Sequence, residues 1–508
     1  MKNLILILTL FIYSLNISAQ EQSLPIFITD SLDTYIGRGM KDWKIPGLSV
    51  AIVKGDSVVY LKGFGVTNIE SNEPVNENTL FMIGSNTKAF TATSLSILEE
   101  STEFKLTDNV QKWMPEFHLR DSLANTAVNI IDLLSHRIGF ETFQGDFTYW
   151  ASSLSRAEVI QKMSLIRSTY SFRTKWGYCN AAYVTAGELI PRIINRSWEE
   201  TVKDSILSPL SMNRTLLLTE ELENASNTAK PYTLIDNELV EIPVAKINNL
   251  APAGSMSSSA KDMTQWLFAQ LNNGKINGEQ VISAKGIQGI RNPSSILGID
   301  PRNNQETHFY LYGMGLMIND RNGRLVYSHS GGVDGFLSSV MFIPEEKLGI
   351  VVLTNTDQNE FFQDLTYEIR DAFLSLPYQD YSKKSLERFN QNKTDESKRI
   401  DSLKNVVKQN HFPDLPLEEF SGKYNNSVYG DIEIKLEKGN LNIYFSNHPT
   451  LVGKLEYLEN NQFLCTYSNP TFGVEVIPYK VEIDKVVGLT LKVADFVEFT
   501  PYEFTKTN

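Results

Sequence analysis

Cysteine is nearly missing from this 508-residue chain: Cys179 and Cys465 are its whole complement. Two thiols are too few for a disulfide framework, and these two fall in segments that read as different domains, so both are expected to be small buried hydrophobes. The six histidines show no His-x-His or His-x-x-x-His spacing, so neither a metal site nor a cofactor is expected. No Gly-x-Ser-x-Gly elbow occurs, which argues against an α/β-hydrolase, and no phosphate-binding glycine loop is evident. Basic blocks are absent and the formal net charge is -13. Such a surface repels phosphate backbones, so nucleic acid is not an expected partner. No apolar run after the first nineteen residues nears the roughly 20 residues that span a bilayer.

Those first nineteen residues have a distinct character. Lys2 precedes an almost wholly apolar stretch over residues 4–15, and Ile17-Ser18-Ala19 places a small residue before Gln20. The pattern is that of a signal peptide over residues 1–19, implying export to the periplasm or beyond with no membrane anchor after its removal. The whole chain is 42% hydrophobic and 21% charged, ordinary for globular domains, and its length implies more than one core.

Residues 32–43 carry apolar positions at helical spacing and end at Ile45-Pro46-Gly47. Two β-rich runs, 48–53 and 57–64, meet across Lys54-Gly55-Asp56, a hairpin signal. From 88 to 266 the pattern is mainly helical. Strand patterns return near His308 and include 325–328, 336–343 and 348–353, before an amphipathic helix over 361–376. Strands at both ends with helices between predict an α+β architecture: one antiparallel sheet flanked by helices, a helical lobe, and a cleft between them. Residues 380–409 are polar and free of Gly and Pro, a partly helical linker. Alternating strands then begin, with 432–436 and 441–445 meeting across Lys438-Gly439, as expected of a small all-β, barrel-like domain. The predicted organisation is thus a hydrolase-like domain over 20–378, a polar linker over 379–412 and the β domain over 413–508. Two cores with few shared contacts are expected, so a chain ending near Leu376 is expected to fold alone.

An acyl-transfer site without a metal needs a nucleophile, a base beside it and donors for the developing oxyanion. In Gly84-Ser85-Asn86-Thr87-Lys88 a three-residue spacing puts Ser85 and Lys88 on one helical face. A buried ammonium there would lose its proton readily, and the helix start would leave the Ser85 N–H free to meet an oxyanion. Alone the pattern is weak, since composition gives about one or two chance copies in such a chain. One is Ser258-Ser259-Ala260-Lys261, where Ser259 and Asp262 fit a helix capping box instead. Tyr178-Cys179-Asn180 and His329-Ser330-Gly331 complete an ordered series of Ser-x-x-Lys, Tyr-x-Asn and His-x-Gly found once in the chain.

That series resembles the three signature elements of the penicillin-binding, class C β-lactamase-like serine hydrolases, in their order and with comparable separations. Supporting phrases are Lys44-Ile45-Pro46-Gly47-Leu48, Leu133-Leu134-Ser135-His136-Arg137-Ile138-Gly139 and Pro252-Ala253-Gly254-Ser255-Met256. The tail from Leu417 resembles the lipocalin-like β domain of some members. The resemblance implies Ser85 as acylated nucleophile, Lys88 as its base and Tyr178 as proton shuttle, with His329 in the third motif. It further implies that Asn180 holds the substrate's amide carbonyl and that the Gly331-Gly332 strand, through the Gly332 N–H, completes an oxyanion hole with Ser85. Where β-lactamases of the family usually carry Lys, this chain has His329, as is more typical of the D-peptidase, D-aminopeptidase and esterase branches. The expected activity is therefore acyl-enzyme hydrolysis of D-residue peptides, amides or small esters, on a small-molecule or cell-wall-derived substrate. The alternatives are a β-lactamase and, from another class, a catalytically dead cell-wall binder. His136 reads as a cap or core residue, and Asp334 either as a turn residue or as a receptor for a substrate ammonium at the cleft mouth.

Overall fold

The computed structural model describes residues 23–299 and 307–507. The expected signal peptide lies outside them. Gly55-Asp56 turns the chain back between strands Gly47–Lys54 and Ser57–Gly65, and these pair with the C-terminal strands of the same domain. The result is one eight-stranded antiparallel sheet. Its order runs Ser57–Gly65, Gly47–Lys54, Leu348–Thr354, Phe336–Ile343, Arg324–Val333, Met317–Arg321, Phe309–Tyr312 and Ser295–Ile299. Gly47–Lys54 and Leu348–Thr354 are buried almost throughout, which explains their unbroken apolar runs.

Each face of the sheet has its own core. On one, helices Leu32–Asp42 and Phe361–Phe373 bury Ile36, Trp43, Phe361, Leu365 and Ile369 against Val50, Ile52, Ile350 and Val352. On the other, helices Thr87–Ser101, Asn180–Ile194 and Ala260–Leu271 build the helical lobe. The antiparallel sheet, flanking helices and lobe agree with the fold class read from the sequence.

The linker is one continuous helix, Tyr381–Val407, about 40 Å long at 1.5 Å per residue. Near its start Ser382 Oγ accepts from Trp43 Nε1 at 2.9 Å, and Phe389 packs on the Trp43 ring at 5.1 Å. Further along, Arg399 donates to the Val474 carbonyl of the β domain at 2.7 Å. The helix is thus tied to the hydrolase domain near its start and to the barrel along its second half.

Eight antiparallel strands from Gly422–Asn426 to Tyr502–Thr507 close the barrel. Its core does not stand apart from the hydrolase domain. Phe147 of the lobe is fully buried inside it, stacked on Tyr429 at 4.9 Å and on His448 at 5.3 Å. Ser153 N–H donates to Asn447 O at 2.8 Å, and His448 Nε2 meets Trp150 O at 2.9 Å. The expectation of few shared contacts is corrected here. A polar linker sequence reports on the linker alone and not on how its flanking domains dock. No helix among the described residues is long and apolar enough to cross a membrane.

Candidate active site

A short 3-10 turn, Gly84–Asn86, leads into helix Thr87–Ser101 and presents Ser85 at the start of the lobe's central helix. Gly84 has φ +50°, and a Cβ there would sit 2.8 Å from Gly332 N. A Cβ on Gly331 would sit 1.9 Å from Ile83 O. Both positions must be glycine for strand Arg324–Val333 to run against the turn that carries Ser85. Asn86 Nδ2 donates to Ser338 Oγ at 2.8 Å, and Ser338 Oγ donates to Ile83 O at 2.9 Å, tying the turn to the next strand. Ser85, Gly331 and Gly332 therefore meet at the junction of sheet and lobe.

Lys88 is completely buried, one helical turn along. Its Nζ lies 3.1 Å from Ser85 Oγ, 2.7 Å from Asn180 Oδ1 and 2.8 Å from Ala253 O. Two of these partners are carbonyl oxygens, which can only accept. A neutral amine must spend its two hydrogens on them, and its lone pair then points at the Ser85 hydroxyl. Burial lowers the Lys88 ammonium to about 7, opposed by the attraction of Asp146. The Pro252-Ala253-Gly254 phrase gains its meaning here, since Ala253 supplies one of the two carbonyls.

Tyr178 lies over the same amine, 4.6 Å from Lys88 Nζ to its ring centroid, with its phenol in hydrogen-bond reach of Ser85. Burial raises the phenol well above its usual range, so it rests protonated. Asn180 opens helix Asn180–Ile194 and is held at both ends of its amide, Oδ1 by Lys88 and Nδ2 by Asp146 Oδ2 at 2.5 Å. One Nδ2 hydrogen remains for a ligand. Asp146 was not singled out by any motif. It is buried, and desolvation together with the nearby Glu498 raises its carboxyl well above the ordinary range. Nothing in the local sequence Gly145-Asp146-Phe147 distinguishes it from a turn residue.

His329 sits within the tyrosine cluster, its ring 6.2 Å from Tyr178 and 6.0 Å from Tyr312 between centroids. Nδ1 faces its neighbour's Ser330 carbonyl at 2.6 Å and must carry the hydrogen, so Nε2 accepts from Tyr312 hydroxyl at 3.1 Å. Burial and the Lys88 charge lower the imidazole to about 3, leaving it neutral. His136 packs beneath Tyr178 at 4.4 Å between ring centroids and accepts from Cys179 N–H at 3.1 Å through Nδ1. It is a core residue, as read. Asp334 is buried and accepts from Trp150 Nε1 at 2.9 Å and from the barrel's Thr471 and Asn469. It belongs to the domain junction and does not face a substrate ammonium.

Cys179 is buried with its thiol pushed up to about 12, so it is no nucleophile, and both cysteines are free. The Ser258 decoy lies in a two-residue strand with Oγ 2.8 Å from Thr215 Oγ1. Beside it Ser259 caps helix Ala260–Leu271 through Asp262 N–H at 3.1 Å. The Asp262 carboxylate does not close the reciprocal half of a capping box; it accepts from Arg214 and Thr215 instead. Among the described residues no cluster of His, Cys, Asp and Glu could hold a metal ion.

The family model described as Beta-lactamase matches residues 32–374, spanning the sheet, the lobe and all three motifs. This chain belongs to the Beta-lactamase family of serine hydrolases. A Domain of unknown function (DUF3471) matches residues 407–506, the barrel. Unguisins hydrolase ungD of Aspergillus violaceofuscus is 27% identical over 78% of this chain and 75% of its own. Protein flp of Staphylococcus aureus (strain MRSA252) is 27% identical over 64% of this chain and 62% of its own. Among solved structures, the octameric penicillin-binding protein homologue from Pyrococcus abyssi superposes with a TM-score of 0.60, at 23% identity over 94% of this chain and 99% of that one. At that identity the likeness speaks to the fold, barrel included.

Proposed function

We propose that this protein is an exported hydrolase that forms an acyl-enzyme at Ser85 on D-residue peptides, amides or small esters, possessing little β-lactam turnover. The observation that carries the chemistry is the Lys88 amine, lowered to about 7 and aimed at Ser85 Oγ by two acceptor-only partners. Lys88 takes the hydroxyl proton as Ser85 Oγ attacks the substrate carbonyl carbon. The N–H groups of Ser85 and Gly332 hold the oxyanion, and Asn180 holds the substrate's amide oxygen through its spare Nδ2 hydrogen. As the tetrahedral intermediate collapses, the bond to the leaving amine or alcohol breaks. That leaving group takes the Tyr178 phenol proton, which the Lys88 ammonium replaces. Water attacking the ester returns Ser85 and completes hydrolysis.

The preference against β-lactams rests on His329. A neutral imidazole with both nitrogens engaged inside the protein offers no fixed charge to a β-lactam carboxylate. The hydrolase named among the fungal relatives supports turnover over simple binding. The apolar leader over residues 4–15 supports export. A panel of D-residue peptides and activated esters, run beside a chromogenic cephalosporin and intact-mass measurement after penicillin exposure, tests the reading. We expect cleavage of members of the first group, a persisting penicillin adduct on Ser85, and no activity of any kind in Ser85→Ala. Rapid cephalosporin hydrolysis without an adduct makes the protein a β-lactamase. An active Ser85→Ala variant removes the nucleophile assignment.

A further inference from the structure

We propose that the barrel supplies one wall of the substrate cleft, in which Phe496 and Phe499 select substrates carrying an extended apolar group beside the scissile carbonyl. This rests on Ser85 being the acylated nucleophile.

Residues 494–500 connect the strand Lys485–Leu491 and its extension to the closing strand Tyr502–Thr507, and they lie against the lobe. Glu498 anchors the segment. It is 1% exposed, and its carboxylate accepts from Gly145 N–H at 2.8 Å, Phe147 N–H at 2.9 Å, Tyr502 hydroxyl at 2.7 Å and the Thr500 hydroxyl. Gly145 and Phe147 flank Asp146, the residue that holds Asn180. The turn that carries the active-site amide's partner is thus fixed by the barrel on its other side. Val497, beside Glu498, is buried as well.

The two phenylalanines that bracket this anchor are different. Phe496 and Phe499 are each 44% exposed, although the residues between them are buried. Phe496 edges Trp150 at 6.4 Å between centroids, and its ring lies 3.8 Å from where a Gly332 Cβ would stand. Phe499 packs on Phe143 at 5.7 Å, and Phe143 packs on Tyr178 at 5.5 Å. One ring therefore stands beside the backbone of the oxyanion strand and the other beside the aromatic chain leading to the proton donor. Two half-exposed rings on an anchored segment, one beside Gly332 and one beside the Phe143 ring that packs on Tyr178, offer apolar area for a bound ligand to cover. An acyl group too short to reach them gains nothing, whereas a longer alkyl or aromatic group gains contact on both.

The full-length protein and its Phe496→Ala/Phe499→Ala double variant are compared for kcat/KM on p-nitrophenyl acetate and octanoate. In parallel, the rate of Ser85 modification by a short-chain and a long-chain alkyl fluorophosphonate is followed by intact mass. Phe412→Ala, at an 86% exposed aromatic far along the sequence, serves as the control. The double variant is expected to lose about tenfold in the octanoate-to-acetate ratio and a similar factor in the phosphonate ratio, with acetate rates unchanged. A ratio unchanged from wild type, or acetate falling in step with octanoate, overturns the wall. If no phosphonate modifies Ser85 in the wild type, the nucleophile assignment fails and the inference falls with it.

Discussion

Lys88 has three hydrogen-bond partners and, near neutral pH, a proton it can give up. In the proposed mechanism its neutral form is the base, so acylation there requires deprotonation. Because burial lowers the ammonium to about 7 from an ordinary lysine near 10.5, half of the enzyme is reactive near pH 7 instead of three units higher. The rate of Ser85 phosphonylation is expected to rise with pH, pass half-maximum near 7 and level off above 8. His329, already neutral above about 3, contributes no inflection in that range. A profile with its midpoint near 10 would mean that the amine is solvated in solution. Asp146 bears on the same equilibrium. It raises Lys88 by attraction whenever its carboxyl ionises, and burial together with Glu498 works against that ionisation.

At the scale of elements, the site exists because a strand and a helix-start come closer than side chains normally permit. The Gly331 contact with Ile83 O leaves no space for a methyl, since the obstacle is backbone and cannot rotate away. Gly331→Ala must push strand Arg324–Val333 off the Ser85 turn or strain both. We expect about 3 kcal/mol of destabilisation in denaturant unfolding, as for overpacked cores, with at least a hundredfold loss of Ser85 labelling. Gly332→Ala makes a useful contrast: its added methyl meets the end of the Leu337 side chain at 3.3 Å, which can shift. Loss of labelling in Gly332→Ala equal to that in Gly331→Ala would show that the close backbone approach is not what matters.

The whole molecule is less divisible than its linker sequence implies. A chain ending at Leu376 would strip the barrel from Phe147, now fully buried among Tyr429, Phe445, His448 and Phe472, and would leave Gly145 and Phe147 N–H without their Glu498 acceptor. The exposed Phe147 ring alone forfeits about 2–3 kcal/mol of burial, and each orphaned donor adds about 1 kcal/mol. The truncated chain is therefore expected to label at Ser85 at least tenfold more slowly than the full protein and to melt several degrees lower. Equal labelling rates and melting temperatures would show that the barrel is an independent appendage. Phe147→Ala in the full-length chain tests the same junction without removing the barrel, and should cost about 3–5 kcal/mol in a core this well packed.

Much of the site was legible because its chemistry is local in sequence. Ser85 and Lys88 need only one helical turn, and the order of the three motifs distinguished them from the Ser258 copy. Strand 432–436 announced itself by alternation and 336–343 by its β-rich run, and Gly55-Asp56 and Lys438-Gly439 by turn chemistry. Short-range preferences act within a few residues, so they survive in the sequence of any segment. Asp146, Tyr312 and Glu498 left no such trace: they meet the motif residues from 34, 17 and, through Gly145, 353 positions away. The neutral state of His329, the lowered ammonium of Lys88 and the burial of Phe147 inside another domain's barrel are likewise consequences of desolvation. Sequence determined which groups could do chemistry and which segments would become helix or strand. Tertiary structure decided which of those groups lose water, and hence which proton each one holds, because solvent exclusion is a property of packed neighbours that no single segment possesses.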